Sequence, residues 1–227
     1  MEIIRAREFS HQSWAQHIKQ NTVRAPTQFE ECRFTDFDFS NADLSEHKFV
    51  NCELEDVLIR ETVLDESVWR GVRALKLRAH GMSALGTRFE KCNFSNSDWS
   101  GAKLSGAAFV GCKLTGSNFA GAAAIEITFE DSILALCRLR KLTFKGQHLK
   151  GVDFSEADLA GANFQDAVFE KCSLRDANFV DAKFLDADLR GADLGSLVLA
   201  NCTALRGAII STDQAAVLLR GFGLTIA

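Results

Sequence analysis

Seven cysteines are the residues of this 227-residue chain best able to do chemistry, as metal ligands, redox pairs or nucleophiles. Their spacing argues against all three. Cys32, Cys52, Cys92, Cys112, Cys137, Cys172 and Cys202 are separated by 20, 40, 20, 25, 35 and 30 residues, with no Cys-x-x-Cys and no histidine beside a pair. Thiols placed at such regular intervals read as buried small hydrophobes, and an odd number of them fits a reducing compartment. The histidines, His11, His17, His47, His80 and His148, are scattered and none sits near Ser and Asp in a nucleophile–base spacing. Asp176, Asp181 and Asp186 recur every five residues, which reads as a solvated face rather than an acid–base pair. No glycine-rich phosphate cradle is present. The sequence therefore predicts no catalytic residues, no metal and no cofactor.

The elements that place these residues follow from the same interval. From Phe29 to Leu199 there are 35 positions whose numbers end in 4 or 9; 31 hold Phe, Leu, Ile or Trp, and 15 of the 18 Phe fall among them. Two residues earlier stands a second inward position, small in the later repeats, as at Ala157, Ala162, Ala167, Cys172 and Ala177. A period of five matches neither helix nor long strand. It suits a chain that turns a corner every five residues. Phe29-x-x-Cys32, Phe49-x-x-Cys52, Phe89-x-x-Cys92, Phe109-x-x-Cys112 and Phe169-x-x-Cys172 recur at multiples of 20, so four short arms make one coil. The fold expected is an all-β solenoid with a filled interior, coils stacked about 4.8 Å apart. A filled coil leaves no cavity for a substrate and offers its outside to another macromolecule.

Three segments are expected: an irregular N-terminal cap over residues 1–28, repeats over 29–199, and a C-terminal cap over 200–227. In the last, Ser211-Thr212-Asp213-Gln214 supplies helix-capping oxygens, Ala215 to Arg220 reads helical, Gly221 is a stop, and Leu224-Thr225-Ile226 reads as a final strand. Val217, Leu218, Phe222 and Leu224 exceed what a short cap must bury and point to a homodimer through this end. Ala74, Ala79 and Ala84 stand where large residues are due, while Val72, Leu77 and Met82 crowd the small positions. Residues 70–86 accordingly either form one poor coil or loop out with the 20-residue phase unshifted; the favoured expectation is a projecting basic loop with Arg70, Arg73, Lys76, Arg78, His80 and Met82 facing a partner. Asp153, Asp158, Asp176, Asp181, Asp186 and Asp188 are taken as an acidic face. The net charge of −4 argues against direct nucleic-acid binding. With no apolar run of membrane-spanning length and no signal-peptide pattern at the start, a cytoplasmic location is expected.

Runs such as Ala157-Asp158-Leu159-Ala160-Gly161-Ala162-Asn163-Phe164 resemble the A(D/N)Lxx motif of pentapeptide repeat proteins. That resemblance implies a right-handed quadrilateral β-helix. Met1-Glu2-Ile3-Ile4, the interruption at 70–86 and the tail from Leu205 to Ile226 resemble the Qnr quinolone-resistance proteins. What this implies is a homodimer that binds DNA gyrase and topoisomerase IV and protects them from quinolones, by partial DNA mimicry and a projecting loop. The alternative is a pentapeptide-repeat scaffold with another protein partner, or protection of gyrase from a different toxin.

Overall fold

The computed structural model describes residues 1–12, 14–16, 26–195, 203–221 and 223–225. It divides into two compact units, Met1–Ile127 and Thr128–Ala227, each a stretch of four-sided parallel β-solenoid.

The corner explains the period. In the first unit Ala6, His11 and then every residue from Glu31 to Glu126 whose number ends in 1 or 6 hold φ between 47° and 73°. This left-handed conformation turns the chain between arms and favours Gly, Asn and Asp. Between two corners only three residues remain extended, and the middle one points inward. Each side of the coil is therefore a strand of minimal length that survives by pairing with the same side of the next coil.

On the first side β1 (Glu2–Arg5), β3 (Thr27–Glu30), β5 (Lys48–Val50), β7 (Val68–Arg70), β8 (Arg88–Glu90) and β9 (Ala108–Val110) pair in parallel, in that order. On the second, β2 (Glu8–Ser10), β4 (Arg33–Thr35) and β6 (Glu53–Glu55) pair likewise. The third and fourth sides are held by single parallel bridges at 20-residue steps, such as Asp38↔Leu58 and Asp43↔Val63. The expected irregular cap is thus corrected at its start: residues 2–10 already form solenoid strands, with Ile4 opposite Phe29 and Phe9 opposite Phe34. The step there is 25 residues, five more than between the coils that follow.

Stacking follows from the register. Phe29, Phe49, Trp69, Phe89 and Phe109 form a ladder with successive ring centroids 5.2, 4.4, 6.1 and 4.6 Å apart. At the smaller inward position, polar atoms find a carbonyl of the previous coil. Thr62 Oγ1 donates to the Phe39 carbonyl at 2.8 Å, Thr87 to Leu64 at 2.6 Å and Ser117 to Phe94 at 2.9 Å.

The interruption does not project. Residues 70–86 continue the coil, with bridges Arg73↔Asn93, Arg78↔Asp98 and Ser83↔Lys103 to the coil that follows. Val72, Ala74, Leu77, Ala79, Met82 and Ala84 are all buried. The reason is an exchange of volumes: each pair keeps one large and one small side chain in swapped order, so the interior stays filled.

In the second unit β10 (Thr128–Glu130), β11 (His148–Lys150), β12 (Val168–Ser173) and β13 (Asp188–Asp193) pair in parallel. Phe144, Phe164 and Phe184 stack at 4.9 Å steps. The β12–β13 register slips, Glu170 lying opposite Gly191. A Cβ on Gly191 would lie 2.3 Å from the Phe169 carbonyl oxygen, so this close approach requires glycine. Helix α1 (Thr212–Gly221) follows.

Candidate interaction surfaces

The thiols occupy the small inward position and behave as its hydroxyls do. Cys52 Sγ donates to the Phe29 carbonyl at 3.3 Å, Cys92 to Trp69 at 3.3 Å and Cys172 to Leu149 at 3.3 Å. Burial pushes the Cys52 thiol up to about 12 and the Cys92 thiol upward as well, which leaves them protonated and unreactive. Cys202 lies outside the described residues. Among the described residues, no group of three or more His, Cys, Asp and Glu is placed to hold a metal ion.

The six residues expected on a partner-facing loop are distributed around one coil. Met82 is buried inside it. Arg70 is on the first side, bonded to Glu90 at 2.7 Å, and Arg73 is on the second, 3.6 Å from Glu53. Glu90 accepts from Arg88 and Arg70, which together hold its carboxyl below the usual range. Lys76 stands at the corner between the second and third sides, and Arg78 and His80 lie on the third. Arg60, Glu61, Arg78, His80 and Asp98 line one shallow cleft, with His80 Nδ1 3.0 Å from Ser100 Oγ. Of the six, Arg78 and His80 line this cleft together.

The six aspartates do not form one face either. Asp188 lies on the first side, Asp153 on the second and Asp158 on the third, while Asp176, Asp181 and Asp186 occupy three successive corners. Three of them do structural work that the sequence reading does not anticipate. A carboxylate or amide just before the inward residue accepts the backbone N–H just after it. Asp153 takes Ser155 at 2.9 Å, Asp158 takes Ala160 at 3.2 Å and Asp188 takes Arg190 at 3.1 Å. Asp38, Asn93, Asp98 and Asn163 repeat the arrangement. This Asx turn is the physical meaning of Asp or Asn at that position in the repeat. Asp158 also accepts from Asn178 Nδ2 at 3.1 Å and faces Arg140 at 3.5 Å. The Asp188 carboxyl is held at about 2 by its bonds with Arg190.

At the C-terminal end, Ser211 Oγ accepts the Gln214 N–H at 3.2 Å while Gln214 Oε1 accepts the Ser211 N–H at 2.7 Å. This reciprocal box starts α1 three residues earlier than the periodicity indicates. Gln214 Nε2 also donates to the carbonyls of Leu189 and Ala192, both at 2.7 Å, and so caps the last strand. Val217 and Leu218 line a cleft with Ala192 and Leu194; Val217 is 51% exposed and Leu224 53%. Leu224 and Thr225 are not in a strand, against that expectation, and Phe222 and Ile226 lie outside the described residues. No helix among the described residues is long and apolar enough to cross a membrane.

A family model for a pentapeptide repeat region matches residues 85–164, and a second, for pentapeptide repeats in eight copies, matches residues 157–195. No curated protein matches the sequence. Among solved structures, a trypsin-treated point variant of QnrB1, a plasmid-mediated fluoroquinolone resistance protein, is similar at 20% identity and TM-score 0.54, covering 99% of each chain. Full-length QnrB1 is similar at 22% identity and TM-score 0.52, covering 98% of this chain and 100% of that one. HetL, a pentapeptide repeat protein involved in heterocyst differentiation regulation from the cyanobacterium Nostoc sp., has 23% identity and TM-score 0.47, over 84% of this chain and 88% of its own. With its five-residue corners, its Asx turns and these matches, the chain is a pentapeptide repeat protein whose fold resembles that of QnrB1.

Proposed function

We propose that this protein is non-catalytic, binds the type II topoisomerases DNA gyrase and topoisomerase IV, and protects them from quinolones. The observation that carries this reading is the likeness to QnrB1, a fluoroquinolone resistance protein, over nearly the full length of both chains. The exposed Val217 and Leu224, with the half-buried Leu218 of α1, support a homodimer through the C-terminal end. Asp176, Asp181 and Asp186, exposed on corners, are the carboxylates free to meet a basic enzyme surface. Two copies carry −8, twice the −4 of one chain, so any imitation of DNA rests on form and a few acids rather than on total charge.

A second reading draws on the coil at residues 70–86. A scaffold for a different protein partner, or for protection of gyrase against another toxin, needs no projecting loop, and these residues lie flat in register. Supercoiling by purified gyrase, titrated with this protein with and without ciprofloxacin, separates the two. Restored supercoiling in the drug's presence is the expected outcome. Failure to rescue at any concentration leaves the scaffold reading.

A further inference from the structure

One corner of the second unit departs from the rest. Its corner residues from Asp131 to Asp186 are glycines, carboxylates and lysines, apart from Leu136, which holds φ 61°. A left-handed leucine bears steric strain that glycine avoids. Burial does not repay it, since Leu136 is 53% exposed. Other non-glycine corners hold the same conformation, Lys141 at φ 62° and Glu156 at φ 57° among them, so what sets Leu136 apart is the exposed apolar side chain it carries there.

Its neighbours form a patch of definite character. Ile133, 40% exposed, is on the second side of the same coil. Arg138 and Arg140 stand on the third side, and Lys141 on the corner beyond. No acid occurs between Ile133 and Lys145. Arg140 faces Asp158 at 3.5 Å and Lys145 faces Asp166 at 3.9 Å, whereas Arg138 and Lys141 have no ion-pair partner among the described residues. Of the acids on the adjoining coil, Asp153 is taken by Ser155 and Asp158 by Ala160, Asn178 and Arg140; Glu156 stands beside Leu136.

We infer that Ile133 and Leu136 are an apolar anchor, flanked by the cations Arg138 and Lys141, for a segment of the topoisomerase that presents an apolar side chain followed by carboxylates. The inference rests on the topoisomerase reading and deepens it. A replica of DNA has no use for an apolar and basic patch, so this surface makes a contact that DNA does not. The exposed leucine supplies affinity and the two cations supply orientation.

The test measures binding of the full chain to immobilised purified DNA gyrase, together with melting temperature, for wild type, Leu136→Gly and the double variant Arg138→Glu/Lys141→Glu. Leu136→Gly is expected to bind about tenfold more weakly while melting at or above the wild-type temperature, because glycine relieves the corner. The charge reversal is expected to weaken binding and flatten its salt dependence. Wild-type binding with both variants unchanged overturns the inference and leaves the topoisomerase reading standing. A lower melting temperature for Leu136→Gly makes Leu136 a packing residue and also overturns it. No binding by wild type defeats the topoisomerase reading and this inference with it. Binding of duplex DNA that is lost on charge reversal but not in Leu136→Gly makes the patch a phosphate site, against the inference.

Discussion

The coil at residues 67–86 and the coil at residues 148–167 fill their interiors by opposite rules. The later coil sets small residues before large ones, Ala157 before Leu159 and Ala162 before Phe164, all buried. The earlier one sets Leu77 before Ala79 and Met82 before Ala84, equally buried. Both keep the 20-residue step to their neighbours, Arg78↔Asp98 in one and Asp158↔Asn178 in the other. The solenoid therefore responds to the summed volume of each inward pair, and the order within the pair is free. That freedom is what a packed interior allows when substitutions conserve volume.

The largest effect expected comes from breaking one exchanged pair. Leu77→Ala leaves two alanines on that side and should cost about 2–5 kcal/mol, read by chemical denaturation. Leu77→Ala/Ala79→Leu, which restores the ordinary order, should recover to within about 1.5 kcal/mol of wild type. The coupling in that cycle measures how fully one position substitutes for the other. Additive losses would show that order matters and that the two coils owe their likeness to something else.

This exchange also shows what the sequence makes legible. The five-residue period, the 20-residue coil and the inward place of the described thiols are readable because corner, arm and stack each impose a fixed spacing. Residues 70–86 mislead because a reader of letters sees large residues missing at Ala74, Ala79 and Ala84, whereas the interior counts volume. The acidic run misleads for a related reason. Asp176, Asp181 and Asp186 are five residues apart and so stand on successive corners; neighbours on one side are 20 apart, as Asp158 and Asn178 are. Cα pairing across coils, not regularity along the chain, decides which side chains meet. The Asx turns are within reach of the sequence, since Asp or Asn followed two residues later by Ser recurs at Asp38, Asp43, Asn93, Asp98 and Asp153.

Those turns provide a smaller effect that sharpens the comparison from outside the core. Asp158→Ala removes the acceptor for Ala160 N–H and Asn178 Nδ2 and should lower stability by about 1–2 kcal/mol. Asp158→Asn keeps an acceptor and should restore most of it, as the amide of Asn178 in the same column makes the same turn with Val180 at 3.3 Å. If alanine melts like wild type, the repeat's Asp or Asn is there for solubility and not for the corner.

The smallest effect concerns an inward position that departs from its column. Thr27, Ser67 and Thr87 precede and follow His47 at 20-residue steps, all buried, and His47 is only 6% exposed. Its ring lies over Phe29 at 6.4 Å and meets Trp14 edge-on at 5.7 Å; Nδ1 is 3.0 Å from the Ser45 carbonyl and Nε2 is buried without a partner. Burial lowers its pKa below the ordinary 6.5, against the opposing pull of the Ser45 carbonyl, Asp43 and Glu46. The unfolded chain therefore takes up the proton first as pH falls. Stability from this group is complete above pH 6.5 and is lost as pH drops through that value toward the folded pKa. Denaturation midpoints between about pH 8 and about pH 5 should decline more steeply for wild type than for His47→Thr, which supplies the hydroxyl found one coil away at Thr27. Equal slopes would mean that the imidazolium is accommodated beneath Trp14, and that this column tolerates charge as readily as its neighbours tolerate exchanged volume.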